Sequence, residues 1–452
     1  MTAHPETNPQ SEIRNPKSTI VIGAGFGDEG KGLLTDYHAA LEGRDAVVVR
    51  FNGGAQAGHT VVRPDGRRHI HSHFGSGTLL GAATFLSRFF VSSPLLFVRE
   101  SRELGRSGVS APLVYADDRG LVTTPYDMLI NQWAEAARGR FKHGSCGVGF
   151  GETIERCLDA RFAVTVGELT DVDVLREKLD AIRRRWLPAR LEKLNVGRLS
   201  GEQTELLDSE ILREDFIAAA AEFRARVELA RTEFLRTAGG VVFEGAQGLL
   251  LDEDYGWFPN VTRSSTGLKN VVELAAEAGL ERLECVYATR AYTTRHGAGF
   301  LPHELAAKPY PDIFDATNIP NPHQDSLRFA WLDLDLLAET IDADFSRYAH
   351  SNGLEITKKL AVTCLDQLGG ERPRYVAGGK LVESTVEEFL AAAARAVGVD
   401  GLLACSGPTR ETVDEVRNFR SSRRKDSIRA RRLRFGRRPA SAGRSCGVVQ
   451  SL

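Results

Sequence analysis

A short glycine-rich segment holds the residues with the clearest chemical signature in this sequence. The letters GFGDEGK occupy residues 25–31 and satisfy the pattern G-x-x-x-x-G-K of a phosphate-binding loop. Glycines let backbone N–H groups approach phosphate oxygens, and the lysine adds a mobile positive charge. The usual loop continues with Ser or Thr to hold Mg²⁺, whereas Gly32 follows here. The segment therefore predicts nucleoside triphosphate binding, and Asp28 is the nearest alternative oxygen ligand for Mg²⁺.

The elements around this loop predict an α/β fold. Residues 18–23 and 46–51 are β-branched runs that predict buried strands, and residues 31–41 between them predict a helix. Further apolar runs predict strands at residues 89–91, 240–243, 282–288 and 360–365. Residues 171–238 are charged, poor in glycine and helical in period, which predicts a helical insertion. The predicted fold is a P-loop-containing, large, mostly parallel twisted sheet with helices on both faces and helical insertions.

Composition narrows the class of protein. The chain has 452 residues with 42% hydrophobic and 26% charged content, which is typical of a soluble globular protein. No uncharged apolar run approaches the roughly 20 residues that span a bilayer, and the start lacks a secretory signal, so we expect no membrane contact and a cytoplasmic location. The six cysteines are scattered without zinc-ligand spacing, which predicts free thiols and no structural metal.

The charge is unevenly distributed and suggests three regions. Residues 417–444 contain 12 Lys or Arg and one acidic residue, although the whole chain carries a formal net charge of −2. We expect a disordered leader at residues 1–17, a single domain at residues 18–416 and a basic, disordered tail at residues 417–452. An acidic body argues against a nucleic-acid enzyme, although the tail itself could contact nucleic acid or an anionic surface.

Two motifs in register resemble the adenylosuccinate synthetase family. They are GDEGKG at residues 27–32 and FNGGAQAGHT at residues 51–60. Shorter matches follow, namely FEGAQG at 243–248, PNVT at 259–262, AYTTRHGAG at 291–299, WLD at 331–333 and SGP at 406–408. The resemblance spans roughly residues 18–410, which is the whole body of the chain. It implies a GTP-dependent ligase that joins aspartate to IMP, with Mg²⁺, in a homodimer whose subunits share the active site.

The resemblance also implies roles for individual residues. Asp28 would take the proton from N1 of a 6-oxopurine and ligate Mg²⁺, and the Gly58 carbonyl would be a second ligand. His59 would donate a hydrogen bond to the γ-phosphate. Phosphorylation of O6 would then create a leaving group that the amino group of aspartate displaces.

The remaining binding residues follow from the same motifs. Triphosphate binding is implied for Gly27, Glu29, Gly30, Lys31, Gly32, Gly58 and Thr60. Binding of the monophosphate substrate is implied for Asn52, Ser145, Cys146, Gln247 and Thr262. Guanine recognition is implied for Asp366, Ser406, Gly407 and Pro408, and binding of the amine donor for Arg295 and Arg328. Asp366 could instead cap a local helix, because Asp is a favoured cap residue.

The sequence departs from the family in the loop that binds the monophosphate. The family's GTTGRGIGP reads HGSCGVGFGE at residues 143–152, so that Ser145 and Cys146 replace two threonines and Val148 replaces the arginine. A thiol is a weaker phosphate partner than a hydroxyl, and the loss of a guanidinium removes a bidentate donor. Nearby Arg156 or Arg161 could supply the missing charge.

A second departure affects the amine donor. The family's arginine-rich TTGRxRR run has no counterpart in residues 319–328, where Arg328 alone remains. Either His323, Arg328 and Arg295 form a different clamp, or the donor is not aspartate. Third, Cys364 replaces the family lysine before the guanine-reading aspartate. The choice between GTP and ATP as the triphosphate therefore stays open.

Several functions therefore stay open. A related ligase of the phage type, acting on dGMP or GMP, is the first alternative, because a reshaped pocket is what another purine would require. A nucleotide-binding regulator that has lost turnover is the second, and a general P-loop ATPase is the third. Asp28 and His59 argue against the regulator, since binding alone requires neither residue.

Overall fold

The computed structural model describes residues 16–139, 144–315 and 327–417. Almost all of the predicted leader and tail, together with His323 and Cys446, lie outside these ranges. As predicted, the described cysteines are free thiols: Cys146, Cys157, Cys285, Cys364 and Cys405. No helix among the described residues is long and apolar enough to cross a membrane.

The strands are short and occur along the whole described chain. They are β1 (Lys17–Gly23), β2 (Ala46–Arg50), β3 (His59–Val62), β4 (Arg68–His71), β5 (Ala83–Leu86), β6 (Val114–Ala116), β7 (Glu228–Leu229), β8 (Gly240–Glu244), β9 (Arg282–Arg290), β10 (Thr293–Arg295), β11 (Glu304–Leu305), β12 (Arg328–Ala330), β13 (Leu332–Asp333), β14 (Glu355–Thr363), β15 (Arg374–Ala377), β16 (Lys380–Glu383), β17 (Gly401–Cys405) and β18 (Val413–Glu415).

The α-helices lie between these strands. They are α1 (Lys31–Glu42), α2 (Pro94–Arg106), α3 (Pro125–Arg138), α4 (Phe150–Cys157), α5 (Val172–Ala181), α6 (Leu187–Lys193), α7 (Gly201–Asp208), α8 (Glu210–Arg226), α9 (Lys269–Ala278), α10 (Leu334–Tyr348) and α11 (Val386–Val397). Helices α5 to α8 occupy most of the stretch for which a helical insertion is predicted, and a π-helical turn, Ile182–Trp186, joins α5 to α6.

The large sheet has ten strands in the order β18-β17-β14-β9-β1-β8-β2-β5-β6-β7. All its neighbours pair in parallel except β17 and β18 at one edge. The predicted first strands, β1 and β2, are not adjacent, because β8 lies between them and pairs with both. The prediction of a large, mostly parallel sheet is thus confirmed.

Helices cover both faces of this sheet. Along β1, Ile20 and Ile22 pack into one core that also contains residues of α9, α10 and α11. Val21, which points to the opposite face, packs with Leu33 and Leu34 of α1. This alternation follows from the period of two along a strand, and burial on both faces explains why the strands read as continuous apolar runs.

One predicted strand is wrong. Residues 89–91 form a turn in which the Phe90 N–H donates to the Ser87 carbonyl, and Val91 makes a single bridge to Gly54. The sheet strand in this region is β5, a few residues earlier. The apolar side chain of Phe90 packs in the core, where the Arg50 guanidinium lies over its ring. Its burial therefore does not come from pairing in the sheet.

The parallel arrangement determines where a ligand site can lie. Loops that follow β1, β2, β8, β9, β14 and β17 all emerge at the same, carboxyl edge of the sheet, where open α/β sheets bind their ligands. The loops after β1, β2, β8, β14 and β17 carry most of the residues that the motifs single out.

Candidate functional site

The glycine-rich loop connects β1 to α1, as predicted. Gly27 and Gly30 adopt φ values of 120° and 82°, which L side chains rarely adopt, and Gly30 is the residue before the first turn of α1. A Cβ on Gly30 would lie 3.1 Å from Cγ2 of Thr363, so that the loop packs closely against the end of β14. Two strand ends therefore meet at this loop.

Glu29 and Lys31 are bonded to each other and to the loop backbone. Oε1 of Glu29 accepts hydrogen bonds from the N–H groups of Gly25 at 3.0 Å and Gly27 at 2.7 Å. The ammonium of Lys31 is 3.1 Å from Oε2 of Glu29 and donates to the Gly27 carbonyl at 2.6 Å. Since Lys31 is only 2% exposed, a phosphate that takes this lysine must compete with Glu29.

Residue 32 is glycine for a steric reason that the sequence does not reveal. The hairpin of β3 and β4 packs on the start of α1, and a Cβ on Gly32 would lie 2.7 Å from the carbonyl oxygen of Thr60. Thus the Ser or Thr of an ordinary phosphate loop does not fit here. The same contact places Gly58, His59 and Thr60 beside the loop.

His59 forms a buried pair with Glu244, which ends β8. Nδ1 of His59 is 2.6 Å from Oε1 of Glu244, and Ser76 also donates to this carboxylate through its hydroxyl and its N–H. Burial alone would raise the pKa of Glu244, but His59 and Arg50 hold it at about 2. An ionised carboxylate only accepts, so Nδ1 carries the proton. Burial lowers the pKa of His59, and Glu244 opposes that shift.

Asp28 lies next to two basic side chains. Its carboxylate oxygen Oδ2 is 3.6 Å from Nε2 of His296, and its backbone carbonyl accepts a hydrogen bond from the Arg290 guanidinium. Arg290 also pairs with Asp315 at 3.2 Å. The tip of the loop is thereby contacted by the last residue of β9 and by the segment that follows β10.

An open cleft of about 1190 Å³ gathers most of the residues assigned to the triphosphate. Its walls include Gly27, Asp28, Gly30, Lys31, Gly32, Gly58, His59, Thr60, Asp366, Gly407 and Pro408. Ser406 precedes the last two on the loop after β17, where its N–H donates to Thr412 at 3.0 Å. The phosphate loop and the predicted guanine site thus share one cavity.

The part of the cleft for which guanine binding is predicted begins where β14 ends. Cys364 has a φ of 61° and turns the chain, and Asp366 starts a short 3-10 helix. Burial raises the pKa of the Asp366 carboxyl and also that of the Cys364 thiol, which therefore stays protonated. Asp366 is an exposed residue on the wall of the cleft, where a carboxylate suits a pair of N–H donors.

The residues assigned to the monophosphate lie around the loop rather than in this cleft. Gln247 packs over Gly27, with its Cα 3.5 Å from the position of a Cβ there, and has a φ of 64°. Asn52 is fully buried. Its side-chain NH₂ group donates to the carbonyls of Ala246 and Ser265, and its Oδ1 accepts from the N–H of Ala246. Its side chain therefore braces two loops in this structure.

The other three members of that group are more dispersed. Ser145 exchanges hydrogen bonds with Asn131 of α3, and burial raises the pKa of the Cys146 thiol. A Cβ on neighbouring Gly144 would lie 2.9 Å from Cα of Gly297, so this loop is close to the His296 segment. The Thr262 N–H donates to the Leu251 carbonyl at 2.6 Å.

Neither arginine suggested as a replacement for the family's guanidinium reaches the loop at residues 144–149. Arg156 is fully buried and holds Asp127 through two nitrogens at 2.8 and 2.9 Å. Arg161 is exposed and pairs with Asp159 at 2.6 Å. Both guanidinium groups are already paired with carboxylates, that of Arg156 with Asp127 of α3 and that of Arg161 with the adjacent Asp159.

The two arginines assigned to the amine donor are also engaged. Arg328 forms a bidentate pair with Glu304, at 2.7 and 2.5 Å. Arg295 is 1% exposed, donates to the carbonyls of Phe300 and Asn260 at 3.0 Å, and lies over the Phe26 ring. Burial and the nearby charge of Arg328 lower the pKa of Arg295 to about 10.

Sequence reasoning missed several residues of the cleft. The walls also include Arg68, Arg290, Phe314, Asp315, Thr363 and Gln367. Arg290 and Thr363 end parallel strands, and a polar residue at the carboxyl end of a buried strand is a usable signal. Glu244, the partner of His59, offers the same signal.

Known proteins resemble this chain in sequence and in fold. A sequence model of the family described as adenylosuccinate synthetase matches residues 20–371. Adenylosuccinate synthetase of Neisseria gonorrhoeae (strain ATCC 700825 / FA 1090) is 37% identical over 295 residues, which are 64% of this chain and 65% of that protein. The enzyme of that name from Thermoplasma acidophilum is 28% identical over 360 residues, 78% of this chain and 76% of that one. The matched part therefore spans just under two thirds of the length of the Neisseria gonorrhoeae relative.

Solved structures share the fold. A fully ligated adenylosuccinate synthetase from Plasmodium falciparum superposes with a TM-score of 0.65 and 17% identity, covering 88% of this chain and 99% of that one. Succinoaminodeoxyadenylate synthetase of cyanophage S-2L, bound to dGMP and dATP, superposes with a TM-score of 0.53 and 15% identity, covering 89% and 96%. Since the family model extends over most of the body and the sheet is the one these structures share, the chain belongs to the adenylosuccinate synthetase family.

Proposed function

We propose that this protein is a purine-nucleotide ligase that uses GTP to phosphorylate O6 of IMP and then replaces that phosphate by the amino group of aspartate. The observation that carries the proposal is the shared cleft, in which Asp28, His59 and Asp366 surround one cavity. A carboxylate that can accept a proton and an imidazole beside a phosphate loop match the two requirements of phosphoryl transfer to a weak nucleophile.

The proposed steps use these side chains in turn. Asp28 accepts the N1 proton, and O6 of the purine attacks the γ-phosphorus while GDP leaves. In the step of phosphoryl transfer His59 is protonated on both ring nitrogens: Nε2 donates a hydrogen bond to the transferred group, and Glu244, which accepts from Nδ1, supports the positive charge of the imidazolium. The amine attacks C6, phosphate leaves, and the amine loses a proton. Asp366 reads the N1–H and exocyclic amine of guanine.

Mg²⁺ is the proposed metal, and the donor groups suit it. The Asp28 carboxylate and the Gly58 carbonyl are hard oxygen ligands on walls of the same cleft, and Mg²⁺ prefers oxygen. When bound, the cation offsets the negative charge of the phosphates. A homodimer is part of the proposal, because the family's active site is shared between subunits.

One assay tests the reaction. The protein is incubated with Mg²⁺, with GTP or ATP, with IMP, dGMP or GMP, and with aspartate or other amino acids, and phosphate release is measured. We expect release that requires both the monophosphate and the amino acid, and a product with a new C–N bond. Release that ignores the monophosphate would refute the ligase and favour a general ATPase. Nucleotide binding without any release would favour the regulator.

A ligase for dGMP or GMP, or for another amine donor, is the second proposal. Two observations favour another amine donor: Arg328 is paired with Glu304, and Arg295 is buried, so that neither guanidinium is directed at a dicarboxylate. Cys364, which is uncharged, lines the cleft where guanine binding is proposed, so ATP is also a candidate for the triphosphate. Product formation with dGMP but not with IMP in the same panel would select this alternative.

A single catalytic domain at residues 18–416 is also proposed, with a dispensable tail. Removal of residues 418–452 should leave ligase turnover unchanged, because the proposed cleft is formed by residues before that point. Lost turnover in the truncated chain, with its fold intact by circular dichroism, would assign the tail a role.

A further inference from the structure

Three buried ligand-type side chains meet behind the β3–β4 hairpin, and the proposed reaction uses none of them. His69 and His71 lie on β4, and Glu100 lies on α2, with exposures of 8%, 0% and 4%. Nε2 of His69 is 3.5 Å and Nδ1 of His71 is 3.9 Å from the same oxygen, Oε1 of Glu100. The three potential ligand atoms all lie within 4.8 Å of one another.

The Glu100 carboxylate is a buried negative charge. It accepts hydrogen bonds from the N–H and hydroxyl of Ser72, at 3.0 and 2.6 Å, and from the N–H of His73 at 2.7 Å. In the part of the chain that the structure describes, Glu100 forms no ion pair with Lys or Arg. A buried carboxylate is usually paired with a positive charge or coordinates a metal ion.

The His71 imidazole lies beside the same carboxylate oxygen and is fully buried. Neither of its ring nitrogens makes a hydrogen bond to any described residue. Buried polar groups without partners are uncommon, and a bound ion is one explanation for them. His73 is different, because its Nε2 accepts the N–H of Ser93 at 3.0 Å, which leaves the proton on Nδ1, 3.6 Å from Glu100.

We propose that His69, His71 and Glu100 bind one Zn²⁺ ion. Two imidazole nitrogens and one carboxylate oxygen are a ligand set that Zn²⁺ takes, with water in the fourth position. Ligand atoms around a tetrahedral Zn²⁺ are about 3.3 Å apart, given bonds of about 2.0–2.1 Å. The 3.5 and 3.9 Å separations from Glu100 are close to this spacing, and the two imidazole nitrogens, which lie within 4.8 Å of each other, would approach by side-chain rotation. His73 orients the carboxylate by its N–H groups.

The position gives this ion a structural role. His71 pairs with His59 across the hairpin, so that the ion would tie the strand pair that carries His59 to helix α2. The site is separate from the proposed Mg²⁺ ligands, which are hard oxygens at the carboxyl edge of the sheet. The sequence predicts no structural metal because it has no pair of cysteines and no Cys/His cluster at zinc-ligand spacing, whereas the proposed site contains no cysteine.

Metal binding by the full chain tests the proposal. Chelator-stripped protein is titrated with Zn²⁺ in competition with a chromophoric chelator, and with Co²⁺ while visible absorption is recorded. We expect one Zn²⁺ per chain, d–d bands typical of a low-coordinate nitrogen and oxygen site, and a higher thermal midpoint with Zn²⁺. His71→Gln should weaken Zn²⁺ binding at least 100-fold. Asp28→Asn should leave it unchanged.

The matched control is His38→Gln. His38 is also buried, and neither of its ring nitrogens makes a hydrogen bond to a described residue, but it is not in a ligand cluster. Zn²⁺ binding by His71→Gln as tight as that of His38→Gln would overturn the proposal. So would a wild-type chain that takes up no Co²⁺ with d–d absorption, a result that does not depend on any variant folding.

Discussion

Replacement of Gly32 by serine would restore the residue type that ordinary phosphate loops carry, yet the structure predicts a loss of stability. Gly32 is the second residue of α1, and a Cβ there would lie 2.7 Å from the carbonyl oxygen of Thr60. It would also lie 3.2 Å from the carbonyl carbons of His59 and Thr60. These are backbone atoms of β3, so no change of side-chain rotamer relieves the contact. Helix and hairpin must separate instead.

The size of the effect follows from two opposing contributions. Overpacking of this kind lowers the free energy of unfolding by about 1–3 kcal/mol, whereas serine has a helix propensity about 0.5 kcal/mol better than glycine. An unfolding entropy of about 2.1 cal/mol/K per residue gives about 0.8 kcal/mol/K for a folded unit of roughly 400 residues. A net loss of about 0.5–2.5 kcal/mol therefore lowers the thermal midpoint by roughly 1–3 °C.

Thermal and urea unfolding of Gly32→Ser measure this loss, and Gly201→Ser is the control. Gly201 is the first residue of α7, has an ordinary negative φ, and a Cβ there meets nothing within 4 Å. We expect the control to be unchanged or slightly more stable. Because the displaced hairpin carries Gly58 and His59, nucleotide binding by Gly32→Ser should weaken too. Equal midpoints for the two variants would refute the steric explanation.

Three further predictions follow from the site. Asp28→Asn should abolish product formation while nucleotide binding persists weakly, and undiminished turnover would remove Asp28 from its assigned role. The pKa of Glu244 is lowered from 4.5 to about 2, so its charge should add about 3 kcal/mol of stability above pH 4.5 that is lost as the pH falls towards 2. Glu244→Gln should lack this acid dependence in urea unfolding, and equal acid slopes would contradict the assignment. Glu304→Gln should lower the KM for aspartate by up to about fivefold, because it releases Arg328 from an exposed ion pair; an unchanged KM would exclude Arg328 from the amine-donor site.

Local features of the fold could be read from the sequence. The phosphate loop, the strand before it and the helix after it lie within one residue of the predicted bounds, since β1 is Lys17–Gly23 and α1 is Lys31–Glu42. Short-range patterns determine these elements, because apolar periodicity and glycines act over a few residues. The strand predicted at residues 89–91 is wrong because the pattern there is too short. An apolar run of three residues does not distinguish a strand from a buried turn.

The sequence by itself determined the family, the loop and the side chains that can do chemistry, because those properties reside in residue type and local spacing. Only the tertiary structure decided which partners those side chains have. His59 meets Glu244 across 185 positions of the chain, and Gly32 must be glycine because of a hairpin backbone that packs against it. Arg328 is neutralised by Glu304, 24 positions earlier. Such pairings depend on strand order and on the close approach of separate segments, which no local pattern encodes.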